Sequence, residues 1–139
     1  MIHQRACVRI VDRICEANDK KDMDELKIAA AIHDMGKYGK DGESSHTIWE
    51  HPLIGAEMWR DYCKDKRLNE ATKAAVVRIA RMIECHMGRF NKSKYSDVVL
   101  PKPQTMDEHI LHWADMISCS SWFSIEFDKT GLIEGENPF

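Results

Sequence analysis

The chain of 139 residues is long enough for one domain with a hydrophobic core and too short for two independent ones. Hydrophobic residues make up 43% of it, and 23 acidic against 20 basic residues give a formal net charge of -3, without a basic bias toward nucleic acid. The longest apolar runs cover only residues 28–32 and 74–77, far fewer than the ~20 residues of a membrane helix. The sequence therefore predicts one globular domain without a membrane span.

Hydrophobic periodicity and helix-end signals predict an all-α bundle of about five main helices joined by loops. The predicted helices cover about residues 3–17, 24–35, 52–64, 69–87 and 105–122. Two capping boxes are predicted, one from Asp22 with Glu25 and one from Thr105 with Glu108. Asn69 is predicted to cap the fourth helix, and the tail has no strong period.

The five cysteines are an odd number without a C-x-x-C pair, which argues against a disulfide framework and against a zinc ribbon. They are interpreted as unpaired thiols, and no secretory signal is recognisable, so a cytoplasmic location is predicted. Cys85 and Cys119 lie close in the sequence to His86 and Asp115. Either thiol could be a metal ligand, although core filler is the simpler interpretation.

Several histidines and one carboxylate fall on the apolar faces of the predicted helices. His3 shares the apolar stripe of the first helix with Cys7, while His33 and His86 lie on the apolar faces of the second and fourth helices. Asp115 lies on the apolar stripe of the fifth helix, where an unpaired carboxylate is costly to bury. Each histidine alone is more simply a satisfied core residue, but the set together calls for a compensating cation.

The adjacent residues His33 and Asp34 diverge by about 100° on a helix, so both can face one metal only near a helix end beside a cavity. Gly36 supplies such an end, and His51 and His86 stand at the ends of the third and fourth helices. Capping and surface exposure are alternative roles for these last two histidines. Mixed nitrogen and oxygen ligands favour Mn, Fe, Co, Ni or Zn over Ca or Mg.

The order of these residues resembles the HD-domain superfamily of metal-dependent phosphohydrolases, whose signature is a histidine, an adjacent His-Asp pair and a distant aspartate on a late helix. In this chain the signature stands as His3, His33 with Asp34, and Asp115. Four segments extend the resemblance in the family's order, namely AAAIHDMGKYG, EHPLIGAEMW, ECHMGRF and LPKPQTMDEHILHWADMIS. A lone His-Asp dipeptide is a weak signal, whereas four matched segments are a strong one.

The resemblance implies a small single-domain member across residues 1–139, with a core of about residues 3–128 and a C-terminal tail of residues 129–139. The implied fold is a single all-α bundle around a metal site. The late part of the chain is also similar to the HD domain attached to some bacterial 3′ to 5′ exoribonucleases, and to small HD proteins of unassigned substrate.

The resemblance further implies a site with a defined set of metal ligands, namely His3, His33, Asp34, His51, His86 and Asp115. In members that carry the two additional histidines, the aspartate of the pair bridges two metals, and Asp34 matches it. Two divalent transition metals would polarise a phosphoryl oxygen and lower the pKa of a bridging water until hydroxide is available at about pH 7. The predicted reaction is hydrolysis of a phosphomonoester or phosphodiester of a nucleotide or short oligonucleotide.

Asp34 and Lys37 are the predicted catalytic residues, with Asp34 orienting the water and Lys37 binding a non-bridging phosphate oxygen, as the matching lysine does in the family. Lys37, Arg89 and His112 are the predicted substrate-binding residues. His112 could instead support a metal ligand by a hydrogen bond. Arg89 belongs to residues 88–95, where cations alternate with aromatic side chains, and a solvated loop is an equally good interpretation.

Two other functions stay open at this point, a di-iron oxygenase of the HD type and an inactive binding module. The oxygenase uses the same six-ligand set to hold two irons, so metal identity would distinguish it. The predicted partner is a small phosphoester or nucleotide, with short single-stranded nucleic acid and a homodimer as further alternatives.

Overall fold

The computed structural model of the protein describes residues 2–120, and this part of the chain contains five α-helices and no β-strand. The helices are α1 Ile2–Ala17, α2 Asp24–Ile32, α3 His51–Lys64, α4 Glu70–Cys85 and α5 Met106–Ser118. The predicted all-α bundle is therefore confirmed. No helix in the described range is long and apolar enough to cross a bilayer. The predicted extension of the core to residue 128 and the tail of residues 129–139 lie outside the described residues.

Side-chain caps begin the fourth and fifth helices as predicted. The Asn69 side chain accepts a hydrogen bond from the backbone nitrogen of Thr72 at 2.8 Å. Thr105 and Glu108 form the predicted capping box at the start of α5. Because each cap satisfies backbone N–H groups that have no partner inside the helix, these two starts are fixed by local sequence.

The capping box predicted for Asp22 and Glu25 is wrong. Met23 precedes α2, and it makes no side-chain capping hydrogen bond. The Glu25 carboxylate instead accepts hydrogen bonds from Nε of Arg78 at 2.7 Å and from Nη2 at 2.6 Å. Two charge-assisted hydrogen bonds from a guanidinium outweigh the single one from a backbone N–H that the capping box would give this carboxylate, so Glu25 pairs with α4 instead.

Helix α2 lies at the centre of the bundle and contacts α1, α4 and α5, while α3 packs on α4. Leu26, Ala29 and Ala30 are buried along its length, and the small alanines leave room for the neighbouring helices. The helix ends at Ile32, three residues earlier than predicted, and residues 33–36 continue as turns. The turn that follows the central helix is thereby placed among the ends of the other helices.

Gly36 lies in backbone contact with α3. A Cβ atom added at Gly36 would lie 2.6 Å from the nitrogen of Gly55 and 2.7 Å from the carbonyl oxygen of His51. Backbone atoms cannot turn aside as a flexible side chain does, so only glycine fits this contact. The contact sets the spacing between the turn at residues 33–36 and the first residue of α3.

We expect Gly36→Ala to lower the free energy of unfolding by about 1–3 kcal/mol, because the added methyl group collides with the α3 backbone. Gly55→Ala is the matched control, since its Cβ would meet Ile83 Cγ2 at an ordinary 3.4 Å and alanine favours a helix. Urea unfolding of both variants measures the difference. Equal losses in the two variants would contradict this account of the contact.

The ion pair of Glu25 with Arg78 also makes stability depend on pH. Hydrogen bonds from Arg78 lower the pKa of Glu25, against a smaller opposite effect of burial. A carboxyl with a depressed pKa in the folded state stabilises the fold above its unfolded-state pKa. That contribution is lost as the pH falls through the folded-state pKa.

We therefore expect Glu25→Gln to destabilise the protein at about pH 7 and to have much less effect at about pH 3, below the ordinary pKa of glutamate. Urea unfolding of wild type and variant at both pH values tests this. Glu16→Gln is the control, because its exposed pair with Arg13 at 3.4 Å spans a single helical turn. A destabilisation by Glu25→Gln that is the same at both pH values would refute the assignment.

Candidate metal centre

Six polar side chains from the ends of all five helices meet at one place in the bundle. They are the predicted ligands His3 in the first turn of α1, His33 and Asp34 directly after α2, His51 as the first residue of α3, His86 directly after α4, and Asp115 in the last turn of α5. A helix end leaves open space beyond its last turn, so side chains from several helices can share one cavity there. This explains why adjacent residues such as His33 and Asp34 both reach it.

Asp34 lies between two groups of histidines, and each of its carboxylate oxygens faces a different group. Its Oδ2 lies 3.6 Å from Nε2 of His3 and 3.9 Å from Nε2 of His33. Its Oδ1 lies 3.4 Å from Nε2 of His51 and 3.8 Å from Nε2 of His86. We call the first group, together with Asp115, cluster A, and we call His51 with His86 cluster B.

The atoms of cluster A are spaced as the ligands of one metal ion are. Nε2 of His3 lies 3.1 Å from Oδ1 of Asp115 and 3.2 Å from Nε2 of His33, and the Asp115 oxygen lies 3.6 Å from Nε2 of His33. Metal bonds of about 2.0–2.2 Å at tetrahedral or octahedral angles separate ligand atoms by about 2.8–3.6 Å. The three side chains therefore fit around a single cation.

Local hydrogen bonds orient three of the histidines. In each, Nδ1 lies 2.7 to 2.9 Å from the carbonyl oxygen of the residue three positions earlier. The pairs are His33 with Ala30, His51 with Ile48, and His86 with Ile83. Because a carbonyl oxygen only accepts, each Nδ1 carries the hydrogen and donates it, and each Nε2 faces the centre, where the neutral form of the ring presents a lone pair.

The two histidines of cluster B show that a cation suits this place. Burial lowers the pKa of His86 to about 3, so its imidazole is neutral. Its Nε2 lies 3.1 Å from Nε2 of His51, whose Nδ1 also donates to a carbonyl. Two nitrogen lone pairs that face each other at this distance repel unless a positive charge lies between them. The donor set therefore fits a divalent metal.

The carboxylates supply the negative charge of the centre. Burial opposes the ionisation of both Asp34 and Asp115. Contacts with His51 and Lys37 outweigh this effect for Asp34 and keep its pKa below the usual range. Contacts with His3 and His33 do the same for the pKa of Asp115. The hydrogen bond to Asp115 is the main cause that raises the pKa of His3 to about 10. A proton on His3 and a metal ion therefore compete for stabilisation by the same negatively charged carboxylate.

Lys37 lies at the open side of the centre. Its Nζ donates to Oδ2 of Asp34 at 2.8 Å, and its side chain is 36% exposed. Burial lowers the pKa of Lys37, but the contacts with Asp34 outweigh this and raise it, so the side chain carries a positive charge. The side chains of His3 and Asp115 are 25% and 20% exposed, against 5% for His51 and 1% for His86. The centre therefore opens to solvent at cluster A, and cluster B lies behind it.

His112 and Arg89, the other predicted substrate-binding residues, lie in different surroundings. His112 is buried, and its Nδ1 donates to the backbone carbonyl of His86 at 2.8 Å. A Cβ atom at Gly88, where φ is +56°, would lie 2.4 Å from the His112 ring, so glycine makes room for it. Arg89 is exposed, with its guanidinium 4.8 Å from the centre of the Phe90 ring.

Two residues that the sequence analysis did not select lie against cluster A. Sγ of Cys7 is 3.8 Å from Nε2 of His3 and donates to Oγ of Ser118 at 3.3 Å. That hydroxyl donates to the carbonyl of Asp115 at 2.7 Å and lies 3.0 Å from Nδ1 of His3. Cys7 follows His3 by four residues and Ser118 follows Asp115 by three, so helical spacing was the signal that could have found them.

Of the two thiols that the sequence did suggest, only one approaches the centre. Sγ of Cys119 lies 3.8 Å from Nδ1 of His3 and 4.0 Å from Oδ1 of Asp115. Cys85 is buried in α4, where its thiol donates to the carbonyl of Met82 at 3.6 Å. Cys85 is thus a core residue, as the simpler interpretation held.

The family comparison agrees with this geometry. The HD domain family model matches residues 1–118, which is most of the chain. No curated protein and no solved structure matches the chain. HD domains bind divalent metals, and the described residues include groups of histidine and aspartate that could hold one. The resemblance seen in the sequence is confirmed, and the chain belongs to the HD domain family.

Proposed function

We propose that the protein is a metal-dependent phosphohydrolase that cleaves a phosphomonoester or phosphodiester of a nucleotide or short oligonucleotide. The observation that carries the proposal is the position of Asp34, whose two oxygens face clusters A and B separately. A carboxylate placed in this way can serve one cation on each side. Membership in a family of metal-dependent hydrolases supports the same reaction class.

The proposed ligands divide along the two clusters. His3, His33 and Asp115 would hold one divalent transition metal, His51 and His86 would hold the other, and Asp34 would serve both. Bound metals of this kind supply Lewis acidity, which polarises a phosphoryl oxygen and makes water more acidic. The protein's own contribution is to fix the ligand directions through the Nδ1 hydrogen bonds and to keep both carboxylates ionised.

Lys37 is the proposed contact to the substrate phosphate. Its ammonium group lies at the exposed side of the centre and donates to Asp34. With the charge of Asp34 compensated by bound cations, Lys37 would be free to bind another anion. The substrate would supply this anion as a non-bridging phosphate oxygen at the open side of the centre. Arg89, exposed beside Phe90, is a proposed second contact to phosphate or base.

The cysteines and the net charge support two further proposals, on the cellular location and on the size of the substrate. All five cysteines are free, which supports a location in the reducing cytoplasm. The net charge of -3 favours a small nucleotide over a long polyanion as substrate. A homodimer and short single-stranded nucleic acid stay predictions.

We expect wild-type protein to contain about two transition metals per chain and to hydrolyse bis-p-nitrophenyl phosphate when Mn, Ni or Co is added. Asp34→Asn keeps the size of the side chain and removes its charge, so we expect both metal content and turnover to be lost. Metal analysis by mass spectrometry and the hydrolysis assay measure the two effects. Asp61→Asn, an exposed α3 carboxylate beside Lys40, is the control and should retain both.

The other outcomes of this experiment separate the alternatives. Stoichiometric iron without hydrolysis would favour a di-iron oxygenase. Neither metal nor turnover in the wild type would leave an inactive binding module. Hydrolysis that survives Asp34→Asn with its metal would show that the reaction does not depend on the centre.

For Lys37→Met we expect kcat/KM to fall about 10- to 100-fold, the value of a charge-assisted hydrogen bond of about 1.5–3 kcal/mol, with metal content unchanged. Steady-state kinetics with the same diester and metal analysis of the variant measure this. Lys40→Met is the control, since Lys40 pairs with Glu57 on α3 at 3.0 Å. An equal loss in both lysine variants would point to general charge and not to phosphate binding.

A further inference from the structure

The thiol of Cys7 lies among the ligand atoms of cluster A, and the proposed reaction makes no use of it. The ligand atoms of His3, Cys7, His33 and Asp115 all lie within 4.8 Å of one another. Cys7 is fully buried, so its sulfur has no direct access to solvent. Two histidines, a carboxylate and a thiol are donors of the kind that zinc and iron bind, and Asp34 would add a further oxygen.

The distances suit a sulfur ligand. A Zn–S bond of about 2.3 Å and a Zn–N bond of about 2.0 Å at the tetrahedral angle place sulfur about 3.5 Å from nitrogen. The observed distance from Sγ of Cys7 to Nε2 of His3 is 3.8 Å. Both residues lie on one face of α1, four residues apart, so a small rotation of the Cys7 side chain closes the difference.

Ser118 lies within hydrogen-bond distance of the Cys7 sulfur. Its hydroxyl now accepts the hydrogen bond of Cys7 and donates to the carbonyl of Asp115. If a metal bound the sulfur, the thiol proton would be released, and the single hydroxyl hydrogen could turn from the Asp115 carbonyl to the sulfur. The same hydroxyl lies 3.0 Å from Nδ1 of His3, so it supports the neighbouring histidine as well.

A second thiol, Cys119, lies beside the same histidine in a different position. Its Sγ is 3.8 Å from Nδ1 of His3, the ring nitrogen that faces Ser118 and not the centre. Cys119 is exposed, whereas Cys7 is buried. The chain thus offers two thiols near one imidazole. Cys7 lies beside Nε2 of His3, the nitrogen that faces the centre, whereas Cys119 lies on the Nδ1 side, with its Sγ 4.0 Å from Oδ1 of Asp115.

We propose that Cys7 binds the metal of cluster A as a thiolate and gives this half of the centre a preference for zinc, iron or cobalt over manganese. The inference rests on the proposed function, because it requires a metal in cluster A. It adds a ligand of this chain's own sequence to the six that the family resemblance implies. A soft sulfur donor selects softer cations, while manganese prefers oxygen ligands.

The test is the absorption spectrum of the full chain, stripped of metal and loaded with cobalt(II). We expect a thiolate-to-cobalt charge-transfer band in the near ultraviolet for wild type and for Cys119→Ser. We expect Cys7→Ser to lack the band, to bind zinc at least about 10-fold more weakly and to bind manganese nearly as well as wild type. Cys7→Val, which fills the core without sulfur, should also lack the band.

Circular dichroism and thermal melting of the metal-free variants show whether each one is folded, so a missing band can be assigned to the missing ligand. A wild-type cobalt protein without the band, or a Cys7→Ser protein that keeps it, would overturn the inference. So would loss of the band in Cys119→Ser alone. If manganese-supported hydrolysis still requires Asp34 in that case, the proposed function stands without Cys7. If no cobalt binds and no hydrolysis occurs, both fail.

Discussion

The cost of burying ionised carboxylates among imidazoles is the constraint on which the arrangement of the helices depends. The side chain of Asp34 is only 7% exposed, and that of Asp115 is 20% exposed. A buried negative charge is tolerated only with partners close by. One helix cannot present so many partners to one point, so α1, α3 and α4 each bring an end toward the turn that follows α2. The bundle is thus organised around the ends of its helices as much as around its apolar core.

Directions and distances within the centre are encoded in different ways. The ring directions of His33, His51 and His86 are set by carbonyl groups three residues earlier, so a segment of four residues is enough. The distance between the clusters depends instead on how closely the turn at residues 33–36 approaches α3, and the backbone contact at Gly36 sets this. Local sequence therefore orients the ligand side chains, while packing between helices determines whether they lie close enough to bind one metal.

This division explains what could be predicted from the sequence. Apolar stripes and caps indicated the helices, and a histidine or aspartate on such a stripe indicated four of the six side chains that meet. Positions near helix ends and the family resemblance indicated the other two, Asp34 and His51. The cap assigned to Glu25 was wrong because its partner Arg78 lies on another helix, where no local pattern reveals it. Cys7 was placed on the correct stripe, but a thiol that faces a metal site and a thiol that only packs in the core look the same in a sequence. Only the position of its sulfur relative to His3 distinguishes them.

The unequal exposure of the two clusters bears on how metals would enter and leave. Under the proposed function, an ion bound for His51 and His86 must pass the open side near His3 and Asp115. The inner site would therefore fill first, and its ion would be the last to exchange with solvent. A phosphate held at the mouth by Lys37 would close that path, so a phosphate ligand would slow the loss of both ions to a chelator without changing a single metal bond.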